Sequence, residues 1–376
     1  MSNYTELIRE LEAVSKNPKA AVAKSMKETG KKAIGVFPVY TPEEVIYAAG
    51  FLPVGMWGGS TNIEMADTFL QNFCCSVMRA NMEYALKGTY NMLSAVVITS
   101  FCDSLKALCK NWPYAAKDIP VIGFAYPQNR IPSARTYLLK ELDFLKLRLK
   151  DLFGAEIKDA DLDAAFAIYE EYRAACRKFV SMVKTYPVTL NARTRHYILK
   201  AAYFMDKKVY TEKLTGIIDG LSKESPEKLD DFKVILSGIM VDADAYLDVL
   251  VDHKVTVVAD DLAQESRQFR TPARASGTTM ERIADRYLDT EGCALVYDIN
   301  KSRGGMLVRM AKEQGAEGIF YCQMKFCEPE EFDYPLLKLD FEKAGVKHLY
   351  IEADQQLDAP GQLANRIQTF VEVNRK

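Results

Sequence analysis

Residues 33–56 read AIGVFPVYTPEEVIYAAGFLPVGM, and this stretch decides the fold class. It holds two short apolar runs, 33–37 and 52–56, and the first of them ends at Pro38. A helical pattern separates the two runs. A strand, a helix and a second strand in this order predict two parallel strands joined by a crossover helix.

The segment between the two runs carries signals for both ends of that helix. Thr41 is a good N-cap residue, Pro42 suits the first helical position, and Glu44 completes a capping box. Gly50 suits the position that follows the last helical residues. These signals predict a short helix that begins after Thr41 and ends before Gly50.

The same alternation of apolar runs and helical patterns continues along the chain. It predicts an α/β fold with two Rossmann-like or flavodoxin-like parallel-sheet subdomains. The further predicted strands are 95–99, 120–124, 234–239, 255–259, 295–297, 318–321 and 348–352. The predicted organisation is an N-terminal helical lead-in (1–30) with a break at Asn17-Pro18, a first α/β subdomain (31–130), a helical connector or cover (131–229) and a second α/β subdomain (230–376).

Composition and charge exclude several classes of function. The 376 residues include 49 Lys and Arg and 51 Asp and Glu, so a net charge of −2 offers no basic excess for nucleic acid. No apolar stretch approaches the roughly 20 residues that span a bilayer, and the polar N-terminus is no secretory signal. We therefore expect a cytoplasmic protein without a membrane partner. A P-loop, a dinucleotide-binding glycine motif and a G-x-S-x-G motif are absent from the sequence.

Three of the eight cysteines share a local setting. Cys75, Cys102 and Cys327 directly precede predicted helix starts. A helix N-terminus offers free N–H groups and the positive end of a dipole, which lowers a thiol pKa and favours thiolate ligands. The alternative is that these cysteines are small buried hydrophobic residues. Their spacing includes no C-x₂-C pair and supports neither interpretation.

A short repeat places two of these cysteines at matching points. Phe-Cys-Asp at 101–103 and Phe-Cys-Glu at 326–328 each follow a predicted strand. Ligands of open α/β sheets bind outside the carboxyl ends of the strands. We therefore expect two related subdomains with a site between them that includes Cys102 and Cys327.

The other cysteines are weaker candidates. Cys74 adjoins the first candidate, and neighbouring side chains rarely point into one site. Cys109 and Cys176 lie on helical stripes and are predicted core residues, and Cys293 begins a predicted strand. Cys322 ends a predicted strand and is the one further candidate for the site.

A charged segment follows the predicted strand 255–259. It is interpreted either as a solvated loop with ion pairs, or as a loop that positions the site or contacts another subunit. Its charged residues are Asp260, Asp261, Glu265, Arg267, Arg270 and Arg274.

Four stretches in combination resemble a known family. They are TGKKAIGVFPVYTPEEVIYAAGFLPVGMWGG (29–59), CSVMRANMEYALKG (75–88), VVADDLAQESRQFRT (257–271) and MKFCEPEEFDYPL (324–336). Along essentially its whole length, the chain resembles the smaller (β) subunit of the 2-hydroxyacyl-CoA dehydratases of anaerobic amino-acid fermenters. Within this family, we expect the nearest relatives among the 2-hydroxyisocaproyl-CoA dehydratases.

The resemblance implies one [4Fe–4S] cluster per chain, held by three cysteines. The family's ligands lie in Cys-Ser, Cys-Asp and Lys-Phe-Cys-acid sequences, which here implies Cys75, Cys102 and Cys327. We expect Ser76 and Asp103 to support the cluster from positions beside these ligands.

The resemblance also implies a reaction and its partners. With a homologous α subunit that makes most substrate contacts, the chain is expected to form a heterodimer that removes water from an (R)-2-hydroxyacyl-CoA and yields an (E)-2-enoyl-CoA. A ketyl radical forms after one-electron activation by a separate ATP-dependent iron–sulfur activator, and this chain's cluster relays or stores the electron. Two alternatives are a subunit of an ATP-dependent reductase of the benzoyl-CoA reductase kind and a scaffold subunit without iron.

Overall fold

The computed structural model describes residues 3–37, 39–355 and 360–375, and Pro38, the predicted end of the first apolar run, lies outside them. Two four-stranded parallel sheets are flanked by helices, which confirms the predicted α/β fold class. The strands are β1 (Ala33–Val36), β2 (Leu52–Gly55), β3 (Leu93–Thr99), β4 (Val121–Phe124), β5 (Phe232–Gly238), β6 (Val255–Leu262), β7 (Gly318–Met324) and β8 (His348–Ala353).

Helices fill the connections between the strands. They are α1 (Asn3–Lys16), α2 (Pro18–Thr29), α3 (Glu43–Ala48), α4 (Ser76–Leu86), α5 (Asp103–Ala115), α6 (Pro132–Phe153), α7 (Asp159–Ser181), α8 (Ala192–Ala201), α9 (Lys207–Leu221), α10 (Asp244–Asp252), α11 (Thr279–Leu288), α12 (Arg303–Gln314), α13 (Glu328–Lys343) and α14 (Pro360–Asn374). The lead-in is helical and breaks at Asn17, as predicted, and α6 to α9 lie between the two sheets in sequence. The bounds of the four predicted segments stay a prediction.

The two sheets have the same strand order. It is β2-β1-β3-β4 in the first sheet and β6-β5-β7-β8 in the second. In both, the order reverses between the first and the third strand, and ligands of α/β sheets bind beyond the carboxyl ends at this point. The equivalent third strands, β3 and β7, lead directly into the two Phe-Cys-acid sequences at 101–103 and 326–328.

Helices cover both faces of the second sheet, which explains why its central strands are almost continuously apolar. Helices α10 and α14 pack on one face through residues that include Leu250 and Ile367. Helices α12 and α13 pack on the other face through residues that include Leu307 and Phe341. Helix α13 and helix α14 therefore lie on opposite sides of this sheet.

Residues 295–297 form no strand, so that prediction is wrong, and Cys293 begins no strand either. Within the described chain, the one ladder contact of this segment is an isolated bridge between Tyr297 and Asn129. Leu295 and Val296 are apolar because a loop buries them in the core of the first half. The apolar run at 295–297 therefore reflects burial of a loop and not a strand.

The capping box predicted for α3 is also wrong. The Thr41 hydroxyl donates to the Phe37 carbonyl oxygen at 2.6 Å and does not cap the helix. Glu44 accepts a hydrogen bond from Arg173 Nη1 at 2.6 Å instead of reaching back to the cap. Gly50 follows the helix with a φ of 85°, which confirms the predicted stop signal.

Candidate functional site

Cys75, Cys102 and Cys327 each occupy the N-cap position of a helix, as the sequence predicted. They precede α4, α5 and α13, respectively. Backbone N–H groups in the first turn of α4 interact with the Cys75 sulfur, those of α5 interact with the Cys102 sulfur, and that of Glu330 in α13 interacts with the Cys327 sulfur. Each sulfur therefore lies in the positive field of a helix start.

The three cysteines line one cavity of about 60 Å³. Its walls come from both halves of the fold, so the structure brings together the cysteines that the sequence singled out. Within the described ranges, the other lining residues are all apolar and are Phe37, Val39, Met56, Trp57, Val77, Met78, Leu105, Ile239, Leu295 and Met324.

Burial dominates the acidity of the free thiols. Desolvation raises the pKa of Cys75 to about 12, and the nearby Cys102 sulfur adds to the rise. Burial also raises the pKa of Cys102 and holds that of Cys327 well above its usual range. The helix N–H groups lower these pKa values, but by less, so the predicted net lowering is wrong for the free thiols. A bound metal would displace the thiol protons.

The donor atoms on the cavity are the three thiols. Among the residues that the structure describes, no group of three or more His, Cys, Asp or Glu side chains is arranged to hold one metal ion. The thiolates of a four-iron cluster bind different irons and therefore stand apart. Three thiols on one apolar cavity, each with a first-turn N–H group beside its sulfur, could bind separate irons in this way.

The remaining cysteines do not line this cavity. Cys74 is buried beside it, and the fully buried Cys322 contacts the Tyr246 hydroxyl at 3.1 Å on the side of β7 that faces α10. The suggestion that Cys322 joins the site is therefore wrong. Cys176 is fully buried and Cys109 is partly buried against the core, as predicted.

Of the two expected supporting residues, one lies beside the cavity. Ser76 Oγ lies 3.6 Å from the sulfur of Met324, a cavity residue, and accepts the Gln355 backbone N–H at 3.4 Å. The Asp103 carboxylate is exposed and pairs with Lys106 at 3.1 Å. The expectation for Asp103 is wrong because helix α5 begins with this side chain turned to solvent.

The charged segment that begins at Asp260 is mostly buried and its first two residues belong to β6, so its interpretation as a solvated loop is wrong. Arg274 is exposed, but Asp261 is fully buried and accepts hydrogen bonds from Arg267 and Arg303 at 3.0 Å each. Arg303 also lies 3.5 Å from Glu330 in the first turn of α13. These ion pairs connect the end of β6 to the helix that Cys327 caps, which supports the alternative of a positioning role.

A second buried network was not predicted from the sequence. His196 Nε2 lies 2.8 Å from Asp242 and its Nδ1 lies 2.8 Å from Glu265. Arg195 pairs with Glu265, and Lys200 pairs with Asp242. Because both ring nitrogens of His196 face carboxylates, the imidazole is held as a cation that donates two hydrogen bonds. The partners are far apart in sequence, and no local motif marks them.

A larger cavity of about 700 Å³ lies behind Trp57, which lines both cavities. Asp242 lines it too, as does Gln355. Gln355 Nε2 donates to the Trp57 carbonyl oxygen at 2.7 Å, and its Oε1 accepts the Gly59 N–H at 3.2 Å. This side chain joins the end of the second sheet to the first half.

The fold and the cysteine cavity define a class of protein: two equivalent parallel-sheet halves with three converging cysteines between them. The family model described as 2-hydroxyglutaryl-CoA dehydratase, D-component, matches residues 38–374. The chain belongs to this family, and the resemblance seen in the sequence is confirmed. No helix within the described ranges is both long and apolar enough to cross a bilayer.

Three relatives match nearly end to end. The chain is 39% identical over 373 residues to the (R)-phenyllactyl-CoA dehydratase beta subunit of Clostridium sporogenes, which covers 99% of this chain and 100% of the relative. It is 39% identical over 376 residues to the lactoyl-CoA dehydratase subunit beta of Anaerotignum propionicum, with 99% and 100% covered. It is 35% identical over 374 residues to the (R)-2-hydroxyglutaryl-CoA dehydratase, subunit beta, of Acidaminococcus fermentans, with 97% and 98% covered. The expected nearness to the 2-hydroxyisocaproyl-CoA enzymes stays a prediction.

Proposed function

We propose that this chain is the β subunit of an iron–sulfur (R)-2-hydroxyacyl-CoA dehydratase, a hydro-lyase that works as a heteromer. One joint observation carries the proposal. Three cysteines converge on one cavity in a chain that is 35–39% identical, over nearly its whole length, to three proteins named as dehydratase beta subunits. The proposed partner is a homologous α subunit, and the proposed location is the cytoplasm of an anaerobe, where thiols stay reduced.

The proposed cofactor is one [4Fe–4S] cluster held by Cys75, Cys102 and Cys327. When bound, such a cluster supplies one-electron chemistry, here to relay or store the electron that a separate ATP-dependent activator injects. The chain contributes an apolar wall that excludes water and helix N–H groups that favour the negative charge of the ligand set.

The substrate contacts are proposed to lie mainly in the α subunit. A cavity of about 60 Å³ is much smaller than the roughly 300–1,000 Å³ of small-molecule pockets, so a CoA ester does not fit beside the cysteines. In this proposal the heteromer eliminates water by a redox-neutral route through a ketyl radical. The role of this chain is to relay or store the injected electron.

The cluster assignment is tested by metal analysis of single variants. The chain is purified anaerobically with its α subunit, the subunits are separated, and iron and sulfide are assayed in this chain. We expect about four irons in the wild type and loss of iron in Cys75→Ser, Cys102→Ser and Cys327→Ser. Cys74→Ser is the matched control, because Cys74 is buried next to the cavity but does not line it. Absence of iron in the wild type, or equal loss in the control, refutes the assignment.

The alternatives predict different electron counts. A dehydratase needs one injected electron for many turnovers, whereas a reductase of the benzoyl-CoA reductase kind consumes electrons in proportion to its product. A scaffold subunit holds no iron, and its cysteine variants change stability alone. The names of the three relatives favour the dehydratase. Assays of the activated heteromer with a panel of 2-hydroxyacyl-CoA esters, with the reductant counted, separate the alternatives.

A further inference from the structure

The cavity of about 700 Å³ behind Trp57 contains none of the three proposed cluster ligands, and the proposed function does not use it. Its volume lies within the roughly 300–1,000 Å³ of small-molecule pockets. We define the Trp57 cavity by a buried base and an exposed mouth. The base is formed by Val54, Trp57, Leu93 and Phe204, and the mouth is formed by Lys16, Asn17, Lys19, Ser60 and Asp244.

The base of the Trp57 cavity suits an apolar or aromatic group. Its four residues are buried, and the side chains of Tyr84 and Tyr90 add two further rings to the wall. The indole N–H of Trp57 is buried and has no hydrogen-bond acceptor among the described residues. Buried donors in native proteins are almost always paired, so this N–H indicates an acceptor outside the described residues.

Two lysines at the mouth have no carboxylate partner among the described residues. Lys24, the next lysine of α2, pairs with Glu10 and Glu28, whereas no ion pair is described for Lys16 or Lys19. The two ammonium groups are therefore available to a negatively charged ligand, and a hydrogen bond from an ammonium to an anion is stronger than one between neutral groups.

The two carboxylates described on the wall of the Trp57 cavity are already engaged. Asp242 pairs with Lys200 and lies 2.8 Å from His196 Nε2, and Asp244 accepts a hydrogen bond from the Tyr197 hydroxyl. Among the described lining residues, three lysines face two carboxylates. The charge of the wall therefore favours an anion.

The start of helix α10 adds to this preference. Ala243 is its N-cap residue and offers no side-chain cap, and Ala243, Asp244 and Ala245 all line the cavity. The positive end of the helix dipole is therefore directed at the same space as the lysines, where it stabilises negative charge.

We propose that the Trp57 cavity binds an organic anion with an aromatic or apolar body. The body lies on the buried base, and the negative group lies at the mouth beside Lys16 and Lys19. A free carboxylic acid and a phosphate ester share this chemistry. The three thiols line the other cavity, so binding here involves no covalent step. Because Trp57 lines both cavities, the ligand contacts the wall of the proposed cluster site, but the binding itself does not depend on the proposed function.

Calorimetric titration of the full chain, purified anaerobically and separated from the α subunit, tests the ligand class. The probes are 3-phenylpropionate, a carboxylic acid, and adenosine 5′-monophosphate, a phosphate ester. Their neutral counterparts, 3-phenylpropionamide and adenosine, are the matched controls. We expect one-to-one binding of at least one anion with a Kd at or below about 1 mM, and binding at least tenfold weaker for its neutral counterpart. The anion that binds identifies the source, whereas binding of neither anion, or equal binding of the neutral counterpart, overturns the proposal.

Substitutions then locate the site. We expect Lys16→Ala with Lys19→Ala to weaken binding of the anion roughly tenfold. Lys27→Ala is the matched control, because Lys27 is exposed on the same helix as Lys19 and does not line the cavity. Ala245→Trp is expected to abolish binding, since it fills the mouth from the start of α10, and circular dichroism shows whether each variant is folded. A folded chain without both lysines that binds as the wild type does overturns the site. A chain with iron but no anion binding overturns this site alone, and one that binds the anion but holds no iron overturns the cluster alone.

Discussion

Gly304 of α12 lies so close to Asp340 of α13 that a β-carbon on the glycine would stand 2.1 Å from Asp340 Oδ2 and 2.8 Å from its Cβ. The next residue, Gly305, is exposed, and the nearest atom to its β-carbon would be Arg309 Nη1 at 3.8 Å. The two adjacent glycines therefore have different roles. Gly304 permits the close approach of the helix that Cys327 caps, and Gly305 has no packing constraint.

This difference gives a first prediction. We expect Gly304→Ala to lower the free energy of unfolding by roughly 1–3 kcal/mol, because the added methyl group forces α12 and α13 apart. We expect Gly305→Ala to raise it by about 0.5–1 kcal/mol, because alanine loses less backbone entropy in a helix. Denaturant unfolding of the two variants measures both effects. Equal effects at the two positions would contradict the close approach of the helices.

The strands and the cysteine positions were accessible from the sequence because their signals are local. Apolar runs between helical patterns marked every observed strand, and the residues after Cys75, Cys102 and Cys327 marked three helix starts. The equivalence of Cys102 and Cys327 also followed from a three-residue repeat, and the shared strand order now explains it.

Features that depend on distant partners were not accessible. Nothing near Glu44 in sequence shows that it pairs with Arg173 rather than capping α3. The charged residues from Asp260 onward resemble a solvated loop in the sequence, and only the fold shows that Arg303 pairs with the buried Asp261. The apolar run at 295–297 is a further example. Its residues are buried in a loop, and only the tertiary structure distinguishes a buried loop from a strand.

The buried position of Arg303 gives a second prediction. It interacts with Asp261, Asp333 and Glu330, and its removal takes away the one ion-pair partner described for the buried Glu330 and one of the three arginines around Asp261. We expect Arg303→Met to lower the free energy of unfolding by about 3–5 kcal/mol. The control is Arg309→Met on the same helix, whose pair with Glu291 is exposed and worth about 0–1 kcal/mol. Urea unfolding measures both variants, and similar losses in the free energy of unfolding would contradict the prediction.

His196 gives a prediction of pH dependence. Burial lowers the pKa of His196, but its hydrogen bonds to Asp242 and Glu265 outweigh burial and raise the pKa above its ordinary value. The protonated ring therefore stabilises the folded chain fully below the unfolded-state pKa of about 6.5, and this contribution is lost as the pH rises through the folded-state pKa. We expect the wild type to be more stable than His196→Gln by the largest amount at about pH 6, just below the unfolded-state histidine pKa of about 6.5. This difference in the free energy of unfolding is expected to shrink as the pH rises. Urea titrations across this range test the sign, and an advantage that grows with pH would show that the ring is neutral in the fold.

Gln355 gives the last prediction, on the contact between the two halves. Its side chain donates to the Trp57 carbonyl oxygen and accepts the Gly59 N–H, so it holds the loop that separates the two cavities. Gln355→Ala leaves the buried Trp57 carbonyl and the partly buried Gly59 N–H without this partner, and we expect a loss of about 1–3 kcal/mol in the free energy of unfolding. We also expect faster hydrogen exchange in the peptide that contains Gly59, since its N–H loses this acceptor. The control is Gln368→Ala, because Gln368 is exposed on α14 and contacts Glu372 alone among the hydrogen bonds described for it, so a change within about 0.5 kcal/mol is expected. Equal hydrogen exchange at Gly59 in Gln355→Ala and in the control would show that the Gln355 side chain does not hold this loop. The wall between the cysteine cavity and the larger cavity would then depend on the packing of Trp57.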